Sequence, residues 1–310
     1  MFKSGYAPLA RPAILPDASN RSGLPAFASV GDVLRAYDGD DAIFVLYPKK
    51  IAAAARTFLT GFPGKVLYAV KANPHPAVIK TLWTSGVRHF DVASTREVDL
   101  VQSVVPGARL FFMHPVKSRA AIRHAYSVGV RDFSFDSADE LQKMVEETGY
   151  AADLNLHLRV ALPKGGAAMP LSGKFGADFA TAIELLRAAR PRAASLGVTF
   201  HVGSQCLDME DYDRALAYVR AIVDDADVAL DSVDCGGGFP VPYADGEQVC
   251  TLAACVEEIQ DALAECNLSH LPLLAEPGRY LVAQGAQLVA RVELRKGDTL
   301  YINDGIYGGL

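Results

Sequence analysis

Eight short apolar runs alternate with stretches of helical spacing through most of the chain, and this alternation limits the fold more than any other feature. The runs fall at residues 66–70, 89–92, 110–113, 132–135, 154–160, 198–202, 232–234 and 272–275. The helical stretches fall at 77–84, 95–104, 118–128, 137–148, 178–189, 209–224 and 252–266. Ser137, with Glu140 three residues on, has the pattern of a capping box. Continuously apolar strands are buried on both faces, which a parallel sheet covered by helices provides. Eight such units in 310 residues predict an α/β fold, a (β/α)8 TIM-like barrel. The competing doubly wound sheet would carry G-x-G-x-x-G after an early strand, and the sequence has none.

The flanks read differently. The first 25 or so residues, rich in Pro, Ala and Ser, suggest an irregular arm. A short helix is expected at 29–37 and a strand at 42–47. After Gly278, residues 280–294 and 299–302 read as strands with no helix between them. The expected division is 1–45 for an arm and one β-domain strand, 46–280 for the barrel, and 281–310 for the start of a small C-terminal β domain that stops early.

Composition narrows the function. With 50% hydrophobic and 21% charged residues, the chain is too apolar for disorder. Thirty basic residues against 36 acidic give a net charge of -6 without a basic stripe, which argues against a nucleic-acid partner. No apolar run reaches the roughly 18 residues that span a bilayer, and the N-terminus lacks the apolar core of a secretory signal. Five cysteines without C-x2-C spacing form neither a disulfide framework nor a structural zinc site. A soluble, cytoplasmic protein acting on something small is expected, with no metal.

In such a barrel, chemistry collects at the C-terminal ends of the strands. Lys71 closes the first run, where burial is expected to lower its pKa and free a nucleophilic amine; the alternative is a lysine snorkelling to water. Asp91 ends the second run and Glu97 follows in the next helix, as orienting acids or as complements to the helix dipole. The fifth run carries His157 and Arg159 on one face; Arg159 suits the site and His157 suits a structural role. The sixth ends in His201 and Ser204, a ring for stacking and a hydroxyl for an anion, or a satisfied histidine and a turn. Gly236, Gly237 and Gly238 after the seventh allow an anion-cradling loop or simply a flexible one. Glu276 and Arg279 after the eighth suit a ring nitrogen and a phosphate, or a surface ion pair. A lysine, a stacking histidine, an acid for a pyridine nitrogen and phosphate donors on the last loops together make a pyridoxal 5'-phosphate (PLP) site.

These residues lie in segments that carry a resemblance. Tyr68-Ala-Val-Lys-Ala-Asn73, Phe90-Asp-Val-Ala-Ser94, Lys174-Phe-Gly-Ala177, His201-Val-Gly-Ser204, Gly236-Gly-Gly-Phe-Pro240, Ala275-Glu-Pro-Gly-Arg-Tyr280 and Asn303-Asp-Gly-Ile-Tyr-Gly308 occur in that order. From about residue 40 to its end the chain resembles the fold-type III PLP-dependent decarboxylases, the ornithine/lysine/diaminopimelate/arginine decarboxylase group on the alanine-racemase-like barrel. The ornithine/lysine branch is the more similar. The resemblance implies that Lys71 is the Schiff-base lysine, that His201 stacks on the pyridine ring and that Glu276 pairs with its nitrogen. It implies that Ser204, Gly236, Gly237, Gly238 and Arg279 hold the phosphate, with Asp91, Glu97 and Arg159 supporting the lysine and ring. The implied reaction is decarboxylation of a basic L-amino acid, ornithine first and lysine next, to a diamine of polyamine biosynthesis, in a homodimer with shared sites. A non-catalytic PLP-binding or regulatory homologue and a diaminopimelate decarboxylase are the alternatives; a racemase fits less well.

Two departures stand out. His114-Pro115-Val116-Lys117 replaces the family's common Asn-Pro before this lysine. The family's further stretch, with a Cys-Asp motif for the partner subunit's site and a phosphate-contacting tyrosine, would lie beyond Leu310. Cys206 follows a matched segment but is not expected to replace that cysteine.

Overall fold

A computed structural model describes residues 24–37, 39–163, 174–243, 247–305 and 308–309. The expected arm over residues 1–23 and residues 306 and 307 of the last matched segment lie outside the described residues. In chain order the elements are α1 (Val30–Ala36), β1 (Ile43–Leu46), α2 (Pro48–Gly61), β2 (Lys65–Ala69), α3 (Pro76–Thr84), β3 (His89–Val92), α4 (Thr95–Val104), β4 (Arg109–Phe112), α5 (Arg119–Ser127), β5 (Asp132–Phe135) and α6 (Ala138–Glu147). Then come β6 (Asn155–Arg159), α7 (Phe179–Ala189), β7 (Ser195–Thr199), α8 (Glu210–Ala226), β8 (Ser232–Asp234), α9 (Leu252–Glu265), β9 (Leu273–Ala275), α10 (Arg279–Val282), β10 (Ala286–Val289), β11 (Val292–Lys296) and β12 (Thr299–Ile302).

The chain divides into two units, one of residues 48–285 and one joining 1–47 to 286–310. In the larger, β2 to β9 form a closed barrel in sequence order. Each strand pairs parallel with the next, and β2 pairs with β9 to close the ring. The expected (β/α)8 fold is therefore present. In the smaller unit β1 pairs antiparallel with β10, and β11 with β12. Residues 280–285, expected as strand, are instead the end of α10 and a 3-10 turn. Tyr280 there packs edge-on against Phe58 of α2 at 5.2 Å, a side-chain contact that local strand preference does not foresee. Phe239, just after the glycine run, meets the same ring at 4.8 Å, so one aromatic anchor holds the loops after β8 and β9.

Strand register decides which side chains face the barrel interior. Leu67, Phe111, Met113 and Leu274 form one buried cluster. Since β4 neighbours neither β2 nor β9, the cluster lies across the interior. Asp91 and Asp132 are register partners of Phe111, and Asp234 of Leu274, so these three buried acids share the inner face. Low in the barrel, Asp132 receives a bidentate pair of bonds from Arg109 at 2.8–3.1 Å and the His157 ring at 3.4 Å.

The helices start where the strand-end loops finish, and polar caps fix those starts. Ser94, Ser118, Ser137, Asp178 and Thr251 each accept a backbone N–H of the first helical turn. Ser137 makes half of the expected capping box, accepting the Glu140 N–H at 3.3 Å. The Glu140 side chain turns away because a buried cation needs it. Lys117, fully buried after β4, donates to the carbonyls of Ser134 (2.5 Å) and His114 (3.0 Å) and pairs with Glu140 at 3.0 Å. That knot fixes the β4 exit loop.

Burial pushes the Lys117 ammonium down to about 8, the Glu140 charge offsetting only part of the cost. In the unfolded chain the ordinary value of 10.5 returns. Between those values the unfolded chain binds the extra proton, so stability rises with pH across the window. The contribution approaches about 3 kcal/mol. Lys117→Met is expected to remove this rise, measured as the difference in unfolding free energy between pH 7 and pH 10.5. Equal pH dependence in the two proteins would contradict the placement.

Candidate cofactor and active site

Lys71 sits on a 3-10 turn that leaves β2. Its ammonium lies 3.8 Å from the Asp91 carboxylate, and its side chain is 60% exposed while Asp91 is 4% exposed. The amine therefore stands at the barrel mouth over a buried acid. The expectation that burial lowers its pKa is corrected. Asp91 raises it, with Glu276 adding to the effect, and together they outweigh desolvation. The resting group is an ammonium whose proton must be lost before the amine can attack.

The neighbouring exits build the rest. Glu97 accepts the Ala93 N–H at 2.6 Å, tying α4 to the end of β3. Arg159 ends β6 with its guanidinium 5.6 Å from the Phe175 ring centroid. His114 meets the same ring edge-on at 5.0 Å. His157 belongs to the lower layer with Asp132 and not to the mouth. His201 follows β7 and accepts the Gly203 N–H on Nδ1 at 2.9 Å. Burial, helped by Arg159 and Lys71, pushes its imidazole down to about 3, so the ring is neutral and suited to stacking on another ring. Cys206 is fully buried with its Sγ 3.1 Å from the Asp208 carbonyl oxygen, turned into the fold.

The glycine run is a built cradle. Gly236 and Gly238 have φ of +70° and +105°, a region open chiefly to glycine. A Cβ on Gly237 would stand 2.8 Å from the Glu276 carbonyl oxygen and 3.3 Å from His201 Nε2. All three carbonyls are taken: Gly236 by the Glu276 N–H (2.7 Å), Gly237 by the Tyr212 hydroxyl (3.1 Å) and Gly238 by the Cys206 N–H (2.9 Å). Ser204, half-buried, follows Gly203, itself at φ +117°. Arg279 opens α10, its guanidinium on the Tyr243 hydroxyl and 5.6 Å from that ring's centroid. Glu276 is buried, and desolvation with the charges of Asp234 and Asp91 holds its carboxyl well above the usual range.

The barrel thus brings Lys71, Asp91, Arg159, His201 and Glu276 within electrostatic reach of one another. Two residues escaped the sequence reading. Tyr243 lies past the glycine run in a Pro-rich stretch without periodicity. Asp234, an acid inside an apolar run, was the legible signal, but it reads there only as a strand end. The set fits PLP on its own geometry: an exposed amine among buried acids, a neutral ring, and a glycine loop packed too closely on Glu276 and His201 to admit a methyl group.

Comparisons agree with this fit. The family described as "Pyridoxal-dependent decarboxylase, pyridoxal binding domain" matches residues 48–283. The lysine/ornithine decarboxylase of Selenomonas ruminantium is 37% identical over 252 residues, covering 78% of this chain and 63% of that protein. Antizyme inhibitor 2 of Xenopus laevis is 32% identical, covering 86% and 62%. The crystal structure of a lysine/ornithine decarboxylase from Vibrio vulnificus complexed with putrescine superposes with a TM-score of 0.76 at 30% identity, covering 90% of this chain and 75% of that one. The chain spans less than two thirds of the length of either curated relative. Among the described residues no helix is long and apolar enough to cross a membrane. The match across the whole barrel, on a mouth already shaped for the cofactor, makes this chain a member of the pyridoxal-dependent decarboxylase family, carrying its pyridoxal-binding domain.

Proposed function

We propose that the chain binds PLP on Lys71 and supports decarboxylation of a basic L-amino acid, ornithine first and lysine next, to a diamine. The observation that carries this reading is the Lys71 amine standing exposed over buried Asp91, beside Glu276 and a neutral His201. PLP, when bound, supplies the electron sink for the pair left behind when carbon dioxide departs.

The chain's own residues do the rest. Lys71 provides the amine that captures the cofactor, and Asp91 holds its proton until that moment. Glu276 faces the ring nitrogen, and His201 stacks on the ring without adding a charge. Ser204, the Gly236–Gly238 loop and Arg279 hold the phosphate, and Arg159 and Glu97 steady the polar wall. This preorganisation spares the reaction the reorientation of water dipoles. Residues 46–280 act as the cofactor domain and 281–310 as part of a β domain, in a cytoplasmic homodimer with shared sites. The similarity to antizyme inhibitor 2 supports a second reading, a non-catalytic PLP-binding or regulatory homologue. Carbon dioxide release from ornithine, lysine, arginine and diaminopimelate by PLP-loaded protein separates the two: none from any of them rejects the decarboxylase reading.

Two variants test the site. Wild type reduced with borohydride is expected to retain PLP covalently, and Lys71→Ala to retain none; equal labelling would remove Lys71 from its role. Gly237→Ala, whose Cβ meets the Glu276 carbonyl at 2.8 Å, is expected to weaken PLP binding about tenfold or more, or by about 1.4 kcal/mol. Unchanged affinity by fluorescence titration would show that the loop does not form the cradle.

A further inference from the structure

Two carboxyl groups meet inside the barrel with no ion pair to either among the described residues. Asp234 ends β8, and Glu276 follows β9. Pairing sets Asp234 opposite Leu274, two residues before Glu276. Asp234 is fully buried. Its Oδ1 accepts the Gly236 N–H at 2.8 Å. Its Oδ2 meets no donor among the described residues; the Glu276 backbone N–H bonds the Gly236 carbonyl at 2.7 Å, and the two carboxyl groups act on each other electrostatically.

Two ionised carboxylates have acceptor oxygens and no hydrogen between them. The contact becomes a hydrogen bond only when one partner is protonated, which like charges at short range also favour. Glu276 is held well above its usual pKa by burial and by Asp234 and Asp91. Burial pushes Asp234 up to about 6, and the Gly236 N–H opposes that rise by stabilising its charge. With that donor on Asp234, Glu276 is the better placed of the two to carry a shared proton. The other charged or titratable groups facing the pair are Asp91 of β3, Lys71 after β2, and Arg159 and His157 of β6.

We propose that Asp234 is a positioning residue for Glu276. In the ligand-free barrel it accepts the Glu276 O–H, fixes that carboxyl, and presents it to the cofactor's ring nitrogen as a proton donor in place of a bare anion. This rests on the PLP reading above. On cofactor binding Glu276 gives up its O–H proton, to an unprotonated ring nitrogen or, where the ring arrives protonated, to solvent. It remains as the carboxylate that accepts the ring N–H. In Asp234→Asn the like charge is gone and the amide N–H favours the Glu276 anion, so less of that proton is present before binding, burial still holding the Glu276 pKa up.

The first test is the infrared spectrum of the ligand-free 310-residue protein at pH 7. Wild type is expected to show the C=O stretch of a neutral carboxylic acid, Glu276→Gln to lose that intensity, and Asp234→Asn to weaken or shift it. An unchanged band in either variant, or no such band in wild type because water satisfies Asp234, overturns the proposal. The second test is calorimetric titration with PLP in buffers of different ionisation enthalpy. Asp234→Asn is expected to take up more protons per PLP bound than wild type, or to release fewer, by up to about one; equal counts overturn it. Asp234→Ser replaces Asp234→Asn if circular dichroism shows the latter unfolded. The spectrum is taken without cofactor, so its failure is separate from a failure to bind PLP.

Discussion

Three carboxyl groups, Asp91, Asp234 and Glu276, are buried at the upper end of one barrel, with the cations Lys71 and Arg159 nearby. Burying like charges together is costly, and a fold tolerates it only where cations or protons relieve the repulsion. The rest of the site follows. Lys71 stays protonated because acids surround it, and His201 stays neutral because burial and two cations disfavour a third positive charge. Bound cofactor adds a ring nitrogen able to carry a proton, which answers the same excess of acid. The ligand-free barrel is electrostatically set for the group it takes.

Much of this was legible in the sequence, since strand and helix periods fix where each βα exit falls. Lys71, His201, the glycine run, Glu276 and Arg279 each sit at such an exit, and the fold class brings these seven scattered residues to one end of the barrel. What stayed hidden depends on distances through space. The upward direction of the Lys71 pKa comes from Asp91 and Glu276, which reach the lysine only when β2 lies between β3 and β9. Asp234 read as a strand end, because only its register beside β9 shows that it meets a second acid. Local preference in residues 280–285 favours strand, whereas packing of Tyr280 on Phe58 goes with a helical turn.

Support for the site is layered. The Lys117–Glu140 knot fixes the β4 exit that holds His114, and Phe58 anchors the two loops assigned to the phosphate. Neither contact touches the Lys71 amine directly. Both resemble the supporting contacts that keep a site within fractions of an ångström of working geometry. The substitution of His114 for the family's common asparagine places a titratable ring against Phe175, beside Arg159 on the same ring; nothing in the structure explains why histidine stands there.

The closing seam of the barrel has a consequence of its own. β2 and β9 pair over only two register positions, Lys65 with Leu274 and Val66 with Ala275. Above them one backbone bond, from the Ala69 N–H to the Pro277 carbonyl at 3.2 Å, continues the join. Lys71 stands on one side of that seam, and Glu276 and Arg279 on the other. A cofactor bonded to the first and held by the others, as proposed, would be a staple across the ring's closing edge, joining residues most of the chain apart. Such a grip would need both sides of the seam in place, so the cofactor would stabilise the closed ring by binding it in preference to the open one.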